Sequence, residues 1–258
     1  MRLRVSDVSS FFLGIASSVV AALIVAGCFR LQLVFSPKFR SSWNIIKSLR
    51  RLRRSGINNI MTSRADYRFL RGGETISRYL LGSVNHTLIY VGFWHAKGVE
   101  MENLRNTFTD LTVRGCTIEM ILLDPELDDE KLTIVAKHLG LTKDAFRHRL
   151  SDAWVEMIHY QNDVPATMRK NFLLKAHTEM IHASAFVIDQ GRPTARTLVD
   201  FKLFGTEREG TFAIELVPAV AGDSLYRRVT DSFMAIRDEA RVRNVTLRLI
   251  ENDREQSN

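Results

Sequence analysis

Two kinds of apolar pattern divide the chain. No residue from 8 to 29 is charged, and residues 11–29 (FFLGIASSVVAALIVAGCF) are almost wholly apolar. Twenty-two uncharged residues rising ~1.5 Å each can cross a hydrocarbon core of about 30 Å, so this run predicts one transmembrane helix. Farther on, apolar residues come in short runs. Residues 73–83 have helical spacing at Ile76, Tyr79 and Leu80, and TLIYVGFW (87–94) predicts a buried strand. A helix over 99–113 stops at Arg114-Gly115, and a second buried strand covers 116–123. Strand, helix, strand over so short a stretch is a βαβ unit, which implies parallel pairing. Helices over 127–141 and 143–161 precede four strand-like runs at 171–179, 182–189, 197–204 and 211–217. A helix over 223–243 and a strand over 245–250 complete the pattern. The expected organisation is a transmembrane anchor (1–35), a basic juxtamembrane helix or connector (36–61), one α/β domain with a mixed sheet flanked by helices (62–250), and a polar tail (251–258).

The flanking charges give this layout a direction. Arg2 and Arg4 lead the apolar run. Arg30 trails it, followed by Lys38, Arg40, Lys47, Arg50, Arg51, Arg53 and Arg54 with no acid between them. The positive-inside rule places the soluble domain in the cytoplasm of a single-pass membrane protein. Two other readings of the amino terminus compete. A cleaved signal peptide fits poorly with the basic residues that follow. Val25-Ala26-Gly27-Cys28 resembles a bacterial lipobox, but Phe29-Arg30 is an awkward mature start. Trp43, Ile46, Leu49 and Leu52 fall on one helical face among the bases, which suits a helix lying on anionic headgroups. A solvated topology signal is the plainer alternative.

The net charge of +7 equals the seven bases between Lys38 and Arg54, so the remainder of the chain is neutral. That balance makes nucleic acid a less favoured partner than a membrane, since phosphate backbones leave a basic footprint. Two cysteines, Cys28 and Cys116, exclude a disulfide-rich module. Of seven histidines, His86, His95, His138, His148 and His159 have no partner at metal-ligand spacing. His177 and His182 lie five apart, but Glu179 alone does not complete a zinc site, and no metal or other cofactor is expected.

The run His182-Ala-Ser184-Ala-Phe-Val-Ile-Asp189 reads H-x-S-x-x-x-x-D. It resembles the H-x-K-x-x-x-x-D signature of the phospholipase D superfamily. The order of elements before it, with LIYVGF, RGC and IEMILLDP, is similar to the family's run-up to that motif. Gly205-Thr206 and Glu215 in FAIEL loosely resemble its glycine–hydroxyl turn and later glutamate, and residues 232–240 resemble its closing helix. The likeness covers about residues 64–241. It implies a histidine that attacks phosphorus, a lysine that neutralises phosphate and an aspartate that supports the histidine. It also implies that a chain with one motif works as a homodimer. Ser184 stands at the lysine position, where a hydroxyl can bond phosphate but not neutralise it. Losing such a contact removes about 3–4 kcal/mol of transition-state stabilisation. Lys175, Lys202 and Arg208 are the residues that could replace it, and His177, Thr206 and Glu215 are further phosphate-site candidates.

Two functions follow. One is a membrane-anchored phosphodiesterase acting on phospholipid or nucleic acid through His182. The other is a catalytically degenerate module that binds a phosphorylated ligand or assembles at the membrane. Ser184 favours the second.

Overall fold

The structure is a computed structural model that describes residues 51–61, 75–93, 99–201, 212–219 and 224–242. The chain divides into two units, Met1–Leu52 and Arg53–Asn258. Of the first unit only Arg51 and Leu52 are described. The anchor expected over 1–35, the basic run as far as Arg50, the strand over 245–250 and the tail lie outside the described residues. Among the described residues, no helix is long and apolar enough to cross a membrane.

The second unit carries one mixed sheet. Its strands are β1 (Ile57–Met61), β2 (Thr87–Gly92), β3 (Thr117–Leu123), β4 (Phe172–His177), β5 (Ala183–Ile188), β6 (Arg196–Phe201), β7 (Phe212–Leu216) and β8 (Arg241–Val242). They lie in the order β1-β7-β6-β5-β2-β3-β4-β8. The centre β2-β3-β4 is parallel, of which the βαβ pattern predicts the β2-β3 pairing, and every other pairing is antiparallel. The helices are α1 (Ile76–Ser83), α2 (Val99–Val113), α3 (Asp129–His138), α4 (Lys143–Asp163) and α5 (Leu225–Glu239).

The central strands read as continuous apolar runs because both faces are covered. Leu88 and Tyr90 of β2 and Ile118, Met120 and Leu122 of β3 enter a core with α1–α4, where Trp154, Phe108 and Phe146 are fully buried. Ile89, Val91 and Ile121 point the other way, into a smaller core closed by Phe233 and Met234 of α5. Side-chain caps set the helix starts: Thr75, Asp128, Thr142 and Ser224 each accept a first-turn backbone N–H. The Trp154 indole N–H reaches the Leu123 carbonyl at 2.8 Å, so the largest core side chain leaves no orphaned donor.

Two boundaries differ clearly from the sequence expectation. The sheet begins at Ile57, inside the stretch read as connector. Asn58-Asn59 looks like a turn in sequence, but Asn58 is the extra residue of a bulge between the Ile57↔Leu216 and Asn59↔Glu215 pairs. The last helix ends at Glu239, because Ala240 is extended and Arg241–Val242 pairs with β4. Ser55-Gly56 is a turn as expected, and a rigid one. Gly56 has φ +91°, its carbonyl accepts from Val217 N–H at 2.8 Å, and an added Cβ would lie 2.7 Å from the Val217 carbonyl. Gly56→Ala should therefore cost at least about 1–2 kcal/mol from the left-handed backbone alone, and more from the displaced carbonyl. Urea unfolding of the full chain measures this; an unchanged midpoint would contradict it.

Candidate functional site

β5 runs antiparallel to β2, with Val91 opposite Ala185 and Leu88 opposite Ile188. The two ends of the H-x-S-x-x-x-x-D run therefore sit at opposite edges of the sheet. His182 and Ser184 lie at the carboxyl edge of the parallel strands, where open α/β sheets place ligands. Asp189 lies at the far edge, seven residues and about 20 Å along an extended chain from His182.

At the carboxyl edge, His182 is exposed and precedes β5 by one residue. Its ring tilts against that of His138, the last residue of α3, with centroids 4.5 Å apart. Ser184 is 6% exposed. A Cβ on Gly92 would lie 2.9 Å from Ser184 Oγ and 2.3 Å from Tyr90 Oη, so both hydroxyls fold over the bare glycine backbone. Across the next strand, Ser184 pairs with Asp200. The neighbour facing the lysine position is thus a carboxylate-bearing residue. Tyr90 packs on Phe186 with the rings tilted by 45° and 4.9 Å between centroids, which helps hold the phenol over Gly92.

His177 ends β4 and is 2% exposed. Its Nε2 lies 3.1 Å from the Gly92 carbonyl, and its Nδ1 accepts the Glu179 N–H at 3.2 Å. Those partners fix the neutral tautomer with the proton on Nε2. Burial pushes its pKa below the usual histidine value, against the smaller opposing pull of the Gly92 carbonyl and nearby acids. Both ring nitrogens are committed, so His177 braces the edge and has none left for a phosphate.

Lys175 is two positions before His177 and shares its parity, on the face opposite Ala176 and Ser184. Its Nζ bonds Glu119 at 3.1 Å. Glu119 also receives Arg237 of α5 through two bonds, 2.9 and 2.6 Å. Burial alone would raise the Glu119 pKa, but the bonds from Arg237 and Lys175 outweigh it and hold the carboxyl below its ordinary value. Lys175 therefore faces away from Ser184, bonded to a carboxylate that it shares with Arg237, and does not replace the missing lysine. Lys202, Thr206 and Arg208 lie outside the described residues.

Asp189 is fully buried at φ +48°. Its carboxylate accepts the backbone N–H groups of Asn85 (3.2 Å), His86 (2.8 Å) and Thr87 (3.0 Å), together with the Thr194 hydroxyl (3.0 Å). Burial acts to raise its pKa, but the donors from Thr87, His86, Thr194 and Asn85 outweigh that and hold it below the usual carboxylate range. It ties the loop entering β2 to the turn leaving β5, and does not support His182.

Glu215 is 2% exposed and accepts Tyr79 Oη at 2.9 Å, Arg196 Nη1 at 3.1 Å and Asn58 Nδ2 at 2.5 Å. The β1 bulge is what aims Asn58 at it. Burial, then the adjacent Glu215 charge, pushes the Tyr79 phenol well above its ordinary pKa. Glu215 clips β1 and α1 onto the sheet. Among the described residues, no group of three or more His, Cys, Asp or Glu side chains could hold a metal ion.

His182 and Ser184 are the sequence-derived residues that converge, and the structure adds His138, Tyr90, Gly92 and Asp200. Only Gly92 carried a sequence signal, as a glycine interrupting a strand where another group comes close. His138 resembles an ordinary cation at a helix end.

These features define an α/β protein with an eight-stranded mixed sheet, a parallel centre and a polar carboxyl edge. No known protein-family profile matches the chain, and no curated protein does. Among solved structures, the chain is similar to TrmBL2, an archaeal chromatin protein described with a novel mode of DNA binding. The match has 10% sequence identity and a TM-score of 0.39, and covers 88% of this chain and 71% of that one.

Proposed function

We propose that this chain is a phospholipase D-like module that has lost phosphodiester turnover and acts by binding or assembly at a membrane. The element order around the H-x-S-x-x-x-x-D run supports the family reading. The observation that carries the loss of turnover is Ser184: it is buried over Gly92 and opposite Asp200, while the neighbouring lysine faces the other way onto Glu119. A phosphorane forming there would meet a neutral hydroxyl and an acidic neighbour. The absent cation contact alone is worth about 10²–10³ in rate.

A second, enzymatic reading rests on one observation, the exposed imidazole of His182 at the carboxyl edge beside His138. Under it, a homodimer brings a second His182 to the same phosphate as general acid.

One comparison separates the two. Full-length protein in detergent should release no product from bis(p-nitrophenyl) phosphate, phosphatidylcholine or single-stranded DNA beyond the level of His182→Ala. Turnover in the wild type that His182→Ala abolishes, with an unchanged melting curve, would establish the enzyme instead.

A further inference from the structure

Two imidazoles from distant parts of the chain meet at the carboxyl edge, and each is positioned by its backbone. His138 is the last residue of α3, whose Leu132, Val135 and Ala136 are buried in the larger core. The helix stops directly after it. Leu139 N–H returns to the Val135 and Ala136 carbonyls at 3.1 Å, and Leu141 N–H reaches Ala136 at 2.9 Å past Gly140 at φ +69°. His182 follows Ile181, which packs against both cores, and precedes Ala183, which pairs with Phe201. The two ring centroids are 4.5 Å apart and the planes are tilted by 56°, so the rings do not stack flat. His138 is half-buried and His182 exposed, and their contact therefore buries little apolar surface.

A shared ion gives two rings a reason to meet at this distance. Metal–nitrogen bonds are about 2.0–2.1 Å and the ring centre lies about 1.1 Å behind the nitrogen, so each centroid stands about 3.2 Å from a bound ion. Two rings at right angles around the ion then have centroids about 4.5 Å apart, against about 5.2 Å for a tetrahedral pair. The observed spacing matches the right-angled arrangement, which belongs to tetragonal Cu²⁺ or Ni²⁺ and not to tetrahedral zinc. One nitrogen of each ring suffices. The other is left for a hydrogen bond, the usual arrangement of metal-bound histidines. The carboxyl end of α3 favours positive charge at the same place.

We propose that His138 and His182 bind one divalent ion as adjacent imidazole ligands, Cu²⁺ more tightly than Zn²⁺, with water completing the shell. Two protein ligands agree with the absence, among the described residues, of any group of three or more that could hold a metal. An ion held this way ties the end of α3 to the start of β5. The inference stands on this ring pair and does not depend on the phospholipase D-like reading.

The test uses the untagged full chain in detergent with Cys28→Ser, which leaves the buried Cys116 as the remaining cysteine. Cu²⁺ is titrated into metal-free protein, and pulsed electron paramagnetic resonance counts the imidazoles on the ion. The parent should bind one Cu²⁺ with two coupled imidazoles. His138→Ala and His182→Ala should each leave one imidazole and weaken binding by about tenfold or more, because the second ligand is no longer held beside the first. Zn²⁺ should bind more weakly than Cu²⁺. Cu²⁺ should raise the melting temperature of the parent and of neither variant. His148→Ala, which removes an exposed histidine of α4, should bind like the parent. A single coupled imidazole in the parent, or copper that stays when both His138 and His182 are replaced, would mean an adventitious ion only and overturn the inference. Zn²⁺ held more tightly than Cu²⁺ would overturn it as well. If His138→Ala melts early without metal, His182→Asn at its exposed position gives the same imidazole count in a folded protein.

Discussion

Asp189→Ala should lower the unfolding free energy by about 2–3 kcal/mol, because it removes a fully buried charged acceptor from four partly buried hydrogen bonds at once. The carboxylate is the acceptor for three consecutive backbone N–H groups, Asn85 to Thr87, and for the Thr194 hydroxyl. Asn85, His86 and Thr194 are exposed, so water replaces part of what they lose, while the half-buried Thr87 N–H is the donor with least access to it. Asp189→Asn should cost about half as much, since asparagine tolerates the φ of +48° and keeps one acceptor oxygen. Urea unfolding gives both values, and a loss below about 1 kcal/mol for the alanine variant would be incompatible with the geometry. The asparagine variant should also leave the NMR signals of the His182 ring unmoved, which an aspartate acting through that histidine would not. The pH dependence has a definite sign. A carboxyl whose pKa is held below its unfolded value contributes stability that is present above about pH 4 and is lost as pH falls through the folded pKa. The wild type should lose this contribution in acid, and the alanine variant should lack that part of the pH dependence.

Glu119→Ala is the second large effect, at about 3–4 kcal/mol. Glu119 is 6% exposed and sits between Lys175 of β4 and Arg237 of α5. Removing it leaves two partly buried cations facing one another across the smaller core. Hydrogen exchange should rise first over α5, because Arg237 is one of that helix's polar ties to the sheet, beside the Thr230–Thr197 hydroxyl pair. Replacing the triad together, Glu119→Leu with Lys175→Met and Arg237→Met, should recover much of the loss, since apolar side chains of similar volume remove the desolvation penalty along with the bonds. If the triple variant is no better than the single, the cluster is not acting as one unit. Glu119 also has a depressed carboxyl pKa, so its contribution disappears over the same acid range as that of Asp189.

The parallel β2-β3 pair was legible in the sequence because its strands are buried on both faces and rich in β-branched residues. Runs such as LIYVGF and IEMILL admit few other structures. The α4 start at Lys143 was legible, whereas α3 starts at Asp129, two residues later than expected, because Asp128 caps it. β1 was hidden because Asn58-Asn59 carries a turn signature, and its strand conformation depends on Glu215, 157 positions away from Asn58. The site was legible only in part. Alternation along a strand is enough to separate Lys175 from Ala176. Which of those faces also carries Ser184 depends on the strand order, which spacing does not encode. The partners of Asp189 were equally hidden, since they are backbone groups about a hundred residues earlier in the chain.

The division of labour along β5 affects how such sequences should be sorted. On the proposed phospholipase D-like reading, the last letter of the three-letter run serves the fold and would persist without the chemistry. A search rule that rewards the terminal aspartate will therefore overcount working hydrolases, and the informative letter is the middle one.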